Sequence, residues 1–319
     1  MDEFDLINKY FSKLSKKSNN SLNLNDDVFF DKHNKLVVSV DTYTEKNHFL
    51  NFKNPELVIK KIVRSSISDL ICKGVMPKYY FISASGNKKN FTKINFLKIN
   101  KSLSEEQKKY NIILGGGDTV FSNKLSFTIT SIGFSNKIIY RNKSKINDDI
   151  YVTGNLGDSF IGLKVLQKKI HLNQNLSRYF INKYFHPNLH INITKKLLSI
   201  ANTSIDISDG LVTDLEKLIN NQKLSYELYL NNIPISKNLN RLIDLKIIKK
   251  IKSLSCGDDY QILFTASPSK SRIISKISRS LGVKISKIGK ICTHNRRSQI
   301  IDEKNKKIAL KNKGYFHRF

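Results

Sequence analysis

A mixed α/β or α+β fold built from two domains is predicted by three observations. Short apolar segments of strand length alternate with longer segments of helical period, as at residues 79–83 and 93–109. The length of 319 residues is typical of two domains or of one large one. A polar, charged stretch at residues 142–149 interrupts the apolar pattern. We therefore expect a first domain over residues 1–145 and a second over residues 146–319.

The first half of the chain is predicted to form a sheet with helices beside it. Residues 3–17 carry apolar side chains at helical spacing. Pro55 suits the first turn of a helix that ends near Lys73, just before Gly74. A further helix is predicted at residues 93–109, and strands are predicted at residues 36–40, 79–83, 111–114 and 125–134.

The second half continues the alternation of strands and helices, and it shows no internal repeat of fixed period. Pro187 ends a helical region. Helices are predicted at residues 159–169, 191–201, 211–220 and 269–281, and strands at residues 150–153, 204–207, 225–230, 260–265 and 283–291.

The net charge of +29 comes from 55 Lys and Arg against 26 Asp and Glu. Such a surplus is the usual electrostatic footprint of nucleic-acid binding, which is the alternative from a different functional class. The lysines, however, are spread along the whole chain and accompany many Asn and Ile, the residues that AT-rich codons favour. This distribution favours mutational bias over a selected polyanion surface, so no nucleic-acid partner is expected. In either case the field attracts anionic ligands.

Cysteine usage and hydropathy exclude several classes of protein. Cys72, Cys256 and Cys292 stand alone, without the paired spacing of zinc or redox sites. The sequence contains no run of 18 apolar residues, so no membrane span is predicted. The acidic start lacks the basic region of a signal peptide. A protein of the reducing cytoplasm is therefore expected.

Acidic residues are scarce, and several lie where a predicted strand or helix ends. Carboxylates in such places are what a polyphosphate–magnesium site requires, since magnesium takes hard oxygen ligands and keeps several waters. Each also has a local alternative, because Asp is common in turns and as a helix cap. Asp209, for example, has the position to cap the next helix. The residues in question are Asp26, Asp27, Asp41, Asp69, Asp118, Asp206 and Asp209.

A glycine run precedes one of these carboxylates. Gly115, Gly116 and Gly117 lead into Asp118, and glycine lets backbone N–H groups approach a phosphate closely. The run lacks the Gly-Lys-Ser/Thr of a P-loop and the spacing of a dinucleotide fingerprint. A flexible turn is the local alternative to a phosphate-binding loop.

The ordered series of motifs resembles the thiamine-monophosphate kinase family, of the superfamily that includes aminoimidazole ribonucleotide synthetase. The resemblance spans nearly the whole chain, and its strength lies in the order and spacing of the motifs. The matching segments are NDD (25–27), SVDT (39–42), NHF (47–49), SDL (68–70), GGDT (116–119), YVTG (151–154), GDS (157–159), IDISDGL (205–211), GDDY (257–260) and KGY (313–315).

The resemblance implies a two-domain fold that dimerises through the sheet of its first domain, and a kinase that moves a phosphoryl group from ATP to thiamine monophosphate with Mg²⁺. The acceptor is already an oxyanion, so no residue is expected to act as a strong general base. The implied metal-binding positions are Asp27, Ser39, Val40, Asp41, Asp69, Asp118, Asp206 and Asp209. The implied ATP contacts are Gly117, Asp118, Arg141 and Ser208, and the implied substrate contacts are His48, Asp258, Asn312 and Tyr315.

Four positions depart from the family pattern. Asn23 and Asn25 replace glycines of the first loop, Asp258 replaces a glutamate, and Asn312 takes the place of a tryptophan that helps to enclose the thiamine rings. Two alternatives within the superfamily stay open. One is another ATP-dependent enzyme of the same superfamily, and the other is a relative that has lost activity.

Overall fold

The computed structural model describes residues 3–15, 18–310 and 313–315. These residues form two sheets, one in each half of the chain, with helices packed against them. The predicted α/β (α+β) class is therefore confirmed. The predicted domain boundary near residue 145 stays a prediction, because one hydrophobic cluster combines buried side chains from both halves.

The N-terminal segment is helical but is not the single regular helix that the spacing predicts. It consists of α1 (Glu3–Leu6), one π-helical segment (Ile7–Phe11) and α2 (Ser12–Ser15). Residues 16 and 17 lie outside the described part of the chain. None of the described residues of the π-helical segment or of α2 is buried, so no core contact selects one helical period here.

The first sheet has five strands in the order β1-β2-β5-β3-β4. Its strands are β1 (Phe29–Asp31), β2 (Leu36–Thr44), β3 (Pro77–Gly86), β4 (Ile113–Phe121) and β5 (Ser126–Phe134). Only β3 and β4 pair in parallel, and a helical crossover joins them. The prediction that the glycine run forms a loop is wrong, because residues 115–117 lie within β4.

α3 (Pro55–Cys72) covers one face of this sheet, and α4 (Lys93–Tyr110) packs against α3. Proline at the first helical position, a glutamate in the first turn and Gly74 at φ +80° after the last turn account for the ends of α3. Most of α3 is buried, because it lies between the first sheet and elements of the second half. Its predicted bounds are confirmed to within one residue.

The opposite face of the first sheet is not covered by any described element. Side chains alternate along each strand, so every second residue of β2 and β3 points to this face. Val40 is 61% exposed, Phe81 38% and Phe134 52%. We call this surface the open face.

The second sheet has seven strands in the order β12-β11-β8-β10-β6-β9-β7. The strands are β6 (Asp149–Thr153), β7 (Thr203–Asp206), β8 (Leu224–Tyr229), β9 (Ile262–Ala266), β10 (Ile285–Thr293), β11 (Gln299–Ile301) and β12 (Lys307–Ile308). The helices of this half are α5 (Asp158–Leu166), α6 (Gln174–Phe185), α7 (Thr194–Ile200), α8 (Leu211–Leu218), α9 (Lys237–Asp244) and α10 (Ser271–Leu281). No described helix is both long and apolar enough to cross a membrane.

Candidate active site

Three aspartates from three different elements approach one another at the junction of the two sheets, with Asp206 buried and Asp41 and Asp69 partly buried. Asp41 lies on β2, Asp69 on α3 and Asp206 at the end of β7. Burial, together with the negative charges of Asp41 and Asp206, raises the pKa of Asp69 well above its usual value. Burial, Asp214 and Asp41 raise the pKa of Asp206 to about 7, although a hydrogen bond from Ser68 acts against this rise. We call Asp41, Asp69 and Asp206 the acidic cluster.

Ser39 is placed to organise this cluster. It lies two residues before Asp41 on β2, so both side chains point to the helix-covered face of the sheet. Its hydroxyl donates a hydrogen bond of 2.5 Å to Asp69 Oδ2. The side chain of Val40, between them, points to the open face and offers no ligand atom, so only its backbone carbonyl is able to bind a cation.

A second group of charges lies in the first loop. Asp26 and Asp27 each lie 2.7 Å from the ammonium of Lys73, which follows the last residue of α3. Arg141 forms an ion pair with Asp27, and its backbone N–H donates to Asp26 Oδ2 at 2.9 Å. Burial lowers the pKa of Arg141, while Asp26, Asp214, Asp206 and Asp209 act to raise it. The predicted metal ligand Asp27 and the predicted ATP contact Arg141 therefore meet directly.

The turn after β7 carries a third group. Asp209 forms an ion pair with Lys217. The interpretation of Asp209 as the cap of α8 is wrong, because Asp214 performs that role from within the helix. The carboxylate of Asp214 accepts the backbone N–H groups of Asp209 and Gly210, each at 3.0 Å. Asp209 is thereby left at the surface of the cleft rather than used in the helix.

The loop that carries Asp258 packs on the turn that carries Ser208. The backbone N–H of Asp258 donates to Ser208 O at 2.8 Å, and that of Tyr260 donates to Ile207 O at 2.8 Å. A Cβ atom at Gly257 would lie 1.9 Å from Ser208 O, so only glycine permits this approach. The GDDY and SDG motifs are thus one structural unit.

The predicted substrate contacts His48 and Asp258 lie on either side of a buried lysine. Lys61 of α3 lies 2.8 Å from Asp258 Oδ1, and its ammonium stands 3.6 Å from the centre of the Tyr184 ring. The Tyr184 hydroxyl donates to His48 O at 3.2 Å. The backbone N–H of Thr44 donates to His48 Nδ1 at 3.0 Å, which fixes the orientation of the imidazole.

The C-terminal segment also reaches the site. The backbone N–H of Tyr315 donates to Asp209 O at 3.0 Å. A Cβ atom at Gly314 would lie 2.1 Å from Thr213 Oγ1, which explains the glycine at this position. Asn312, the remaining predicted substrate contact, lies outside the described residues.

Gly117 and Asp118 are not brought to the acidic cluster within one chain. Across the sheet, Asp41 pairs with Ile129, which pairs with Ile82, which pairs with Gly117. Three strand spacings separate the ends of this row, or roughly 14 Å. Asp118 is the next residue along β4 and therefore points to the open face, away from Asp41. A Cβ atom at Gly117 would meet Ile82 O at 1.9 Å, so strand packing alone requires this glycine.

The donor set suits a hard divalent cation. Among the described residues, no three His, Cys, Asp or Glu side chains already form a group able to hold a metal ion. Magnesium does not need such a cage, because it keeps several waters and commonly takes one or two carboxylates together with substrate phosphates. Carboxylates whose pKa is raised by neighbouring carboxylates, as those of Asp69 and Asp206 are, gain from a cation between them. The residues present therefore fit Mg²⁺.

Four residues of the site have no part in the sequence-based interpretation. Lys61 and Lys73 lie on or directly after a helix where lysine usually faces solvent. Asp214 and Lys217 lie within α8, where a solvated helical face is the ordinary interpretation. Of the four, only Asp214 has a sequence signal, its spacing of four residues after Gly210. The partners of the three lysines are visible only in the folded structure.

Comparison with known proteins assigns the family. A model described as "AIR synthase related protein, N-terminal domain" matches residues 25–135. A thiamine-monophosphate kinase of Buchnera aphidicola subsp. Acyrthosiphon pisum is 35% identical, over 99% of this chain and 98% of that protein. The thiamine-monophosphate kinase of Haemophilus influenzae is 34% identical, over 91% of this chain and 89% of that protein.

Solved structures agree with these relatives. AaThiL complexed with AMPPCP and TMP superimposes with a TM-score of 0.86 at 25% identity, covering 99% of this chain and 97% of that one. Thiamine monophosphate kinase from Aquifex aeolicus gives a TM-score of 0.79, also at 25% identity, covering 96% and 97%. Since sequence relatives and solved folds agree over almost the full length, the chain belongs to the thiamine-monophosphate kinase family.

Proposed function

We propose that this protein transfers the γ-phosphoryl group of ATP to the phosphate of thiamine monophosphate, with Mg²⁺, to form thiamine diphosphate. The observation that carries the proposal is the acidic cluster, in which Asp41 raises the pKa of both Asp69 and Asp206 from a separate element. Such an arrangement is costly without a cation, and two anionic reactants that must meet need cations between them. The family supplies the identity of the reactants.

The triphosphate is assigned to the side of the site that holds Arg141 and Ser208. Arg141 is already aligned by Asp26 and Asp27, so its guanidinium is presented in a fixed orientation. A guanidinium held in this way is suited to bind phosphate oxygens with two parallel hydrogen bonds. Ser208 lies beside Asp209 on a turn whose shape is fixed by the Asp258 loop.

The Mg²⁺ ligands are assigned to Asp41, Asp69, Asp206 and Asp209, with Ser39 holding Asp69 in place and the carbonyl of Val40 within the same strand. Asp27, predicted as a further ligand, is instead held by Lys73 and Arg141. When bound, Mg²⁺ would neutralise the charge that both phosphates bring to the cleft. Asp209 is paired with Lys217, whose side chain is 16% exposed. That lysine also lies 3.4 Å from Asp214 Oδ1, so it keeps a carboxylate partner when Asp209 binds a cation.

The acceptor is assigned to the side of His48, Asp258 and Tyr315, with Asn312 close in sequence to Tyr315. His48 and Asp258 are held by Tyr184 and Lys61, so both are positioned before substrate binds. No residue needs to remove a proton, because the acceptor oxygen is already charged, and the work of the side chains is positioning. Asp258 keeps the carboxylate of the family's glutamate on a shorter side chain.

The predicted homodimer explains the position of Asp118. β1 pairs only with residues 36–38 of β2, so the stretch of β2 that contains Asp41 is an open edge, and β4 forms the other edge. Open edges and an uncovered apolar face are usually covered by a second copy. If β4 of the partner subunit lies along this edge of β2, the partner's Asp118 comes within one strand spacing of β2, roughly 5 Å, instead of three.

One assay tests the reaction. The protein is incubated with ATP, Mg²⁺ and thiamine monophosphate, and thiamine diphosphate is measured by chromatography. The wild-type protein should form it, and Asp41→Asn should reduce turnover by orders of magnitude while keeping the circular dichroism spectrum. Asp302→Asn, in an exposed turn, is the matched control and should keep full activity. Normal turnover in Asp41→Asn would reject the assignment of the cluster.

A complementation experiment tests the shared site. Asp41→Asn and Asp118→Asn are each expected to be inactive, and the two proteins are then mixed under conditions that exchange subunits. If Asp118 acts across the interface, each mixed dimer has one intact site, and activity should return to about one quarter of wild type. If Asp118 acts within its own chain, neither site of a mixed dimer is intact and the mixture stays inactive.

A further inference from the structure

We propose that the ammonium of Lys73 is a permanent internal cation of this active site, which takes the place of a divalent ion beside Asp26 and Asp27. The inference rests on the proposed function, since it concerns the cations of the same site. It assigns to Lys73 a positioning role, acting on the two carboxylates of the first loop rather than on the reactants.

The contacts of Lys73 are those of a bound ion. Its Nζ atom lies 2.7 Å from Asp26 Oδ1, 2.7 Å from Asp27 Oδ2 and 2.7 Å from the backbone oxygen of Ser204. Three oxygen acceptors match the three N–H bonds of an ammonium. Two of the acceptors are carboxylates and the third is a carbonyl, which are the ligand types that hard cations take.

The burial of Lys73 makes this cation permanent. The Lys73 side chain is 0% exposed, and those of Asp26 and Asp27 are 4% and 8% exposed. Removing one partner of a buried ion pair leaves an uncompensated charge, which is strongly unfavourable. Lys217, on Asp209, is 16% exposed and therefore differs. An incoming ion has a route to displace Lys217 but not Lys73.

The position of Lys73 relates this charge to the rest of the site. It lies four residues after Asp69, and its backbone N–H donates to Asp69 O at 3.3 Å. Its positive charge also acts on the Asp69 carboxylate. The ammonium thus lies between the first loop and the acidic cluster. Beside Asp26 and Asp27 it supplies the positive charge that a bound divalent ion would otherwise bring.

A purely structural role is the alternative. Lys73 joins the first loop to β7 through Ser204 O, so it also ties the two halves of the chain together. Both roles predict lower stability when the lysine is removed. Only the internal-cation role predicts that the two carboxylates recruit a divalent ion in its absence, so the number of bound ions separates the two.

The test counts ions without any turnover. Mn²⁺ is the probe, and its binding to wild-type protein and to Lys73→Met is measured by equilibrium dialysis and electron paramagnetic resonance. The variant should bind about one more Mn²⁺ per chain than wild type, because Asp26 and Asp27 become available as ligands. Thermal melting should agree, with a larger rise in Tm on adding Mn²⁺ in the variant than in wild type. An unchanged ion count overturns the proposal.

Arg64→Met is the matched control. Arg64 lies on α3, is buried and pairs with Glu106, so its loss also strands one buried carboxylate, but outside the site. Its ion count should equal that of wild type. If Lys73→Met does not fold, Lys73→Gln replaces it, since glutamine keeps two N–H donors without the charge. A higher number of bound Mn²⁺ ions than in wild type then supports the proposal, and an equal number overturns it. A wild-type protein that binds no Mn²⁺ overturns both this inference and the metal site of the proposed function. A wild-type protein that binds Mn²⁺ as expected but lacks kinase activity overturns only the proposed reaction.

Discussion

Three buried cations follow one another along a single helical segment, and each is matched by its own carboxylate. Lys61 meets Asp258, Arg64 meets Glu106, and Lys73 meets Asp26 and Asp27. A strongly basic chain does not usually bury its cations, because desolvation costs more than an exposed pair returns. The pairs of Lys61 and Lys73 lie at the site, whereas the pair of Arg64 and Glu106 lies outside it and has only a structural role.

The structural pair is expected to show the asymmetry of buried ion pairs. Arg64→Met should destabilise the protein by about 3–5 kcal/mol, because it leaves Glu106 charged and without its guanidinium partner in the interior. The double variant Arg64→Met/Glu106→Leu should recover most of that loss. Urea denaturation followed by circular dichroism measures both.

The control for this experiment is the pair Lys98–Glu56, which is far more exposed. Lys98→Met should change the free energy of unfolding by about 0–1 kcal/mol. Equal losses for Arg64→Met and Lys98→Met would contradict the view that burial sets the value of these pairs.

His186 is expected to make the protein sensitive to mild acid. Burial, Arg64 and Lys60 lower the pKa of His186 to about 4, from an ordinary value of 6.5. Between these two pH values the unfolded chain binds a proton that the folded chain does not. The free energy of unfolding should therefore fall as the pH drops from 6.5 towards 4.

Urea titrations at pH 7 and pH 5 test this effect. His186→Gln should lose less stability over this range than wild type, since it removes the titrating group. His33→Gln, in an exposed turn, should retain the pH dependence of wild type. The same loss in all three proteins would show that other groups cause the acid sensitivity.

Only some of the contacts between individual residues of the site could be predicted from the sequence. The aspartates of the acidic cluster are 28 and 137 positions apart, so no spacing rule brings them together, and their grouping was predicted from the family resemblance. The partners of Lys61, Lys73 and Lys217 come from distant segments, so a sequence shows these lysines as ordinary surface residues. Asp118 was assigned to the same set, and only the strand order reveals that it lies on the other face.

Among the elements, the turn and the loop that carry the SDG and GDDY motifs behave as one body. The hydrogen bonds of Asp258 and Tyr260 to this turn are backbone bonds, so they set the shape of the turn whatever the side chains do. Gly257 is the point at which the two backbones come closest. This contact transmits any change in the loop to Asp206 and Asp209.

Gly257→Ala should therefore reduce kcat, although the alanine side chain would not contact either reactant. Its Cβ atom would meet Ser208 O, and a shift of the turn by about 1 Å is able to cost on the order of 10²-fold in rate. Enzyme assays and thermal melting are the measurements. Gly282→Ala is the control, since its Cβ has nothing within 4 Å and its cost is limited to the φ of +62°. It should lower Tm slightly and leave kcat unchanged.

The two long helices of the first half were predicted well, and several short elements were not. The long helices α3 and α4 match their predicted bounds closely, because residues that favour helix ends stand at their termini: Pro55 begins α3, Thr92 caps the start of α4, and Asn111 ends α4 in the left-handed conformation. α9 and the short strands β1, β11 and β12 were missed, although α8 and β6 are also short and were predicted from the motifs beside them. The glycine run was predicted as a loop, although its close approach to β3 makes it a strand.

At the scale of the whole molecule, α3 and the aromatic residues around it join the two halves. Phe49 and Phe127 of the first half share one hydrophobic cluster with Tyr184 and Phe264 of the second. The site lies at this same junction, because Asp41 and Asp69 come from one half and Asp206 from the other. The relative position of the two halves is therefore fixed by packing as well as by charge.

The shared cluster means that neither half is a self-sufficient protein. Calorimetry should record one endotherm for the whole chain rather than two, because melting either half exposes the apolar surface of the other. A polypeptide ending after residue 145 would present α3 to water along a full side, and co-expressed fragments should be soluble only when paired. Two separate endotherms, or a soluble lone fragment, would contradict this. Limited trypsin digestion at the many exposed lysines should thus nick the protein without dissociating it.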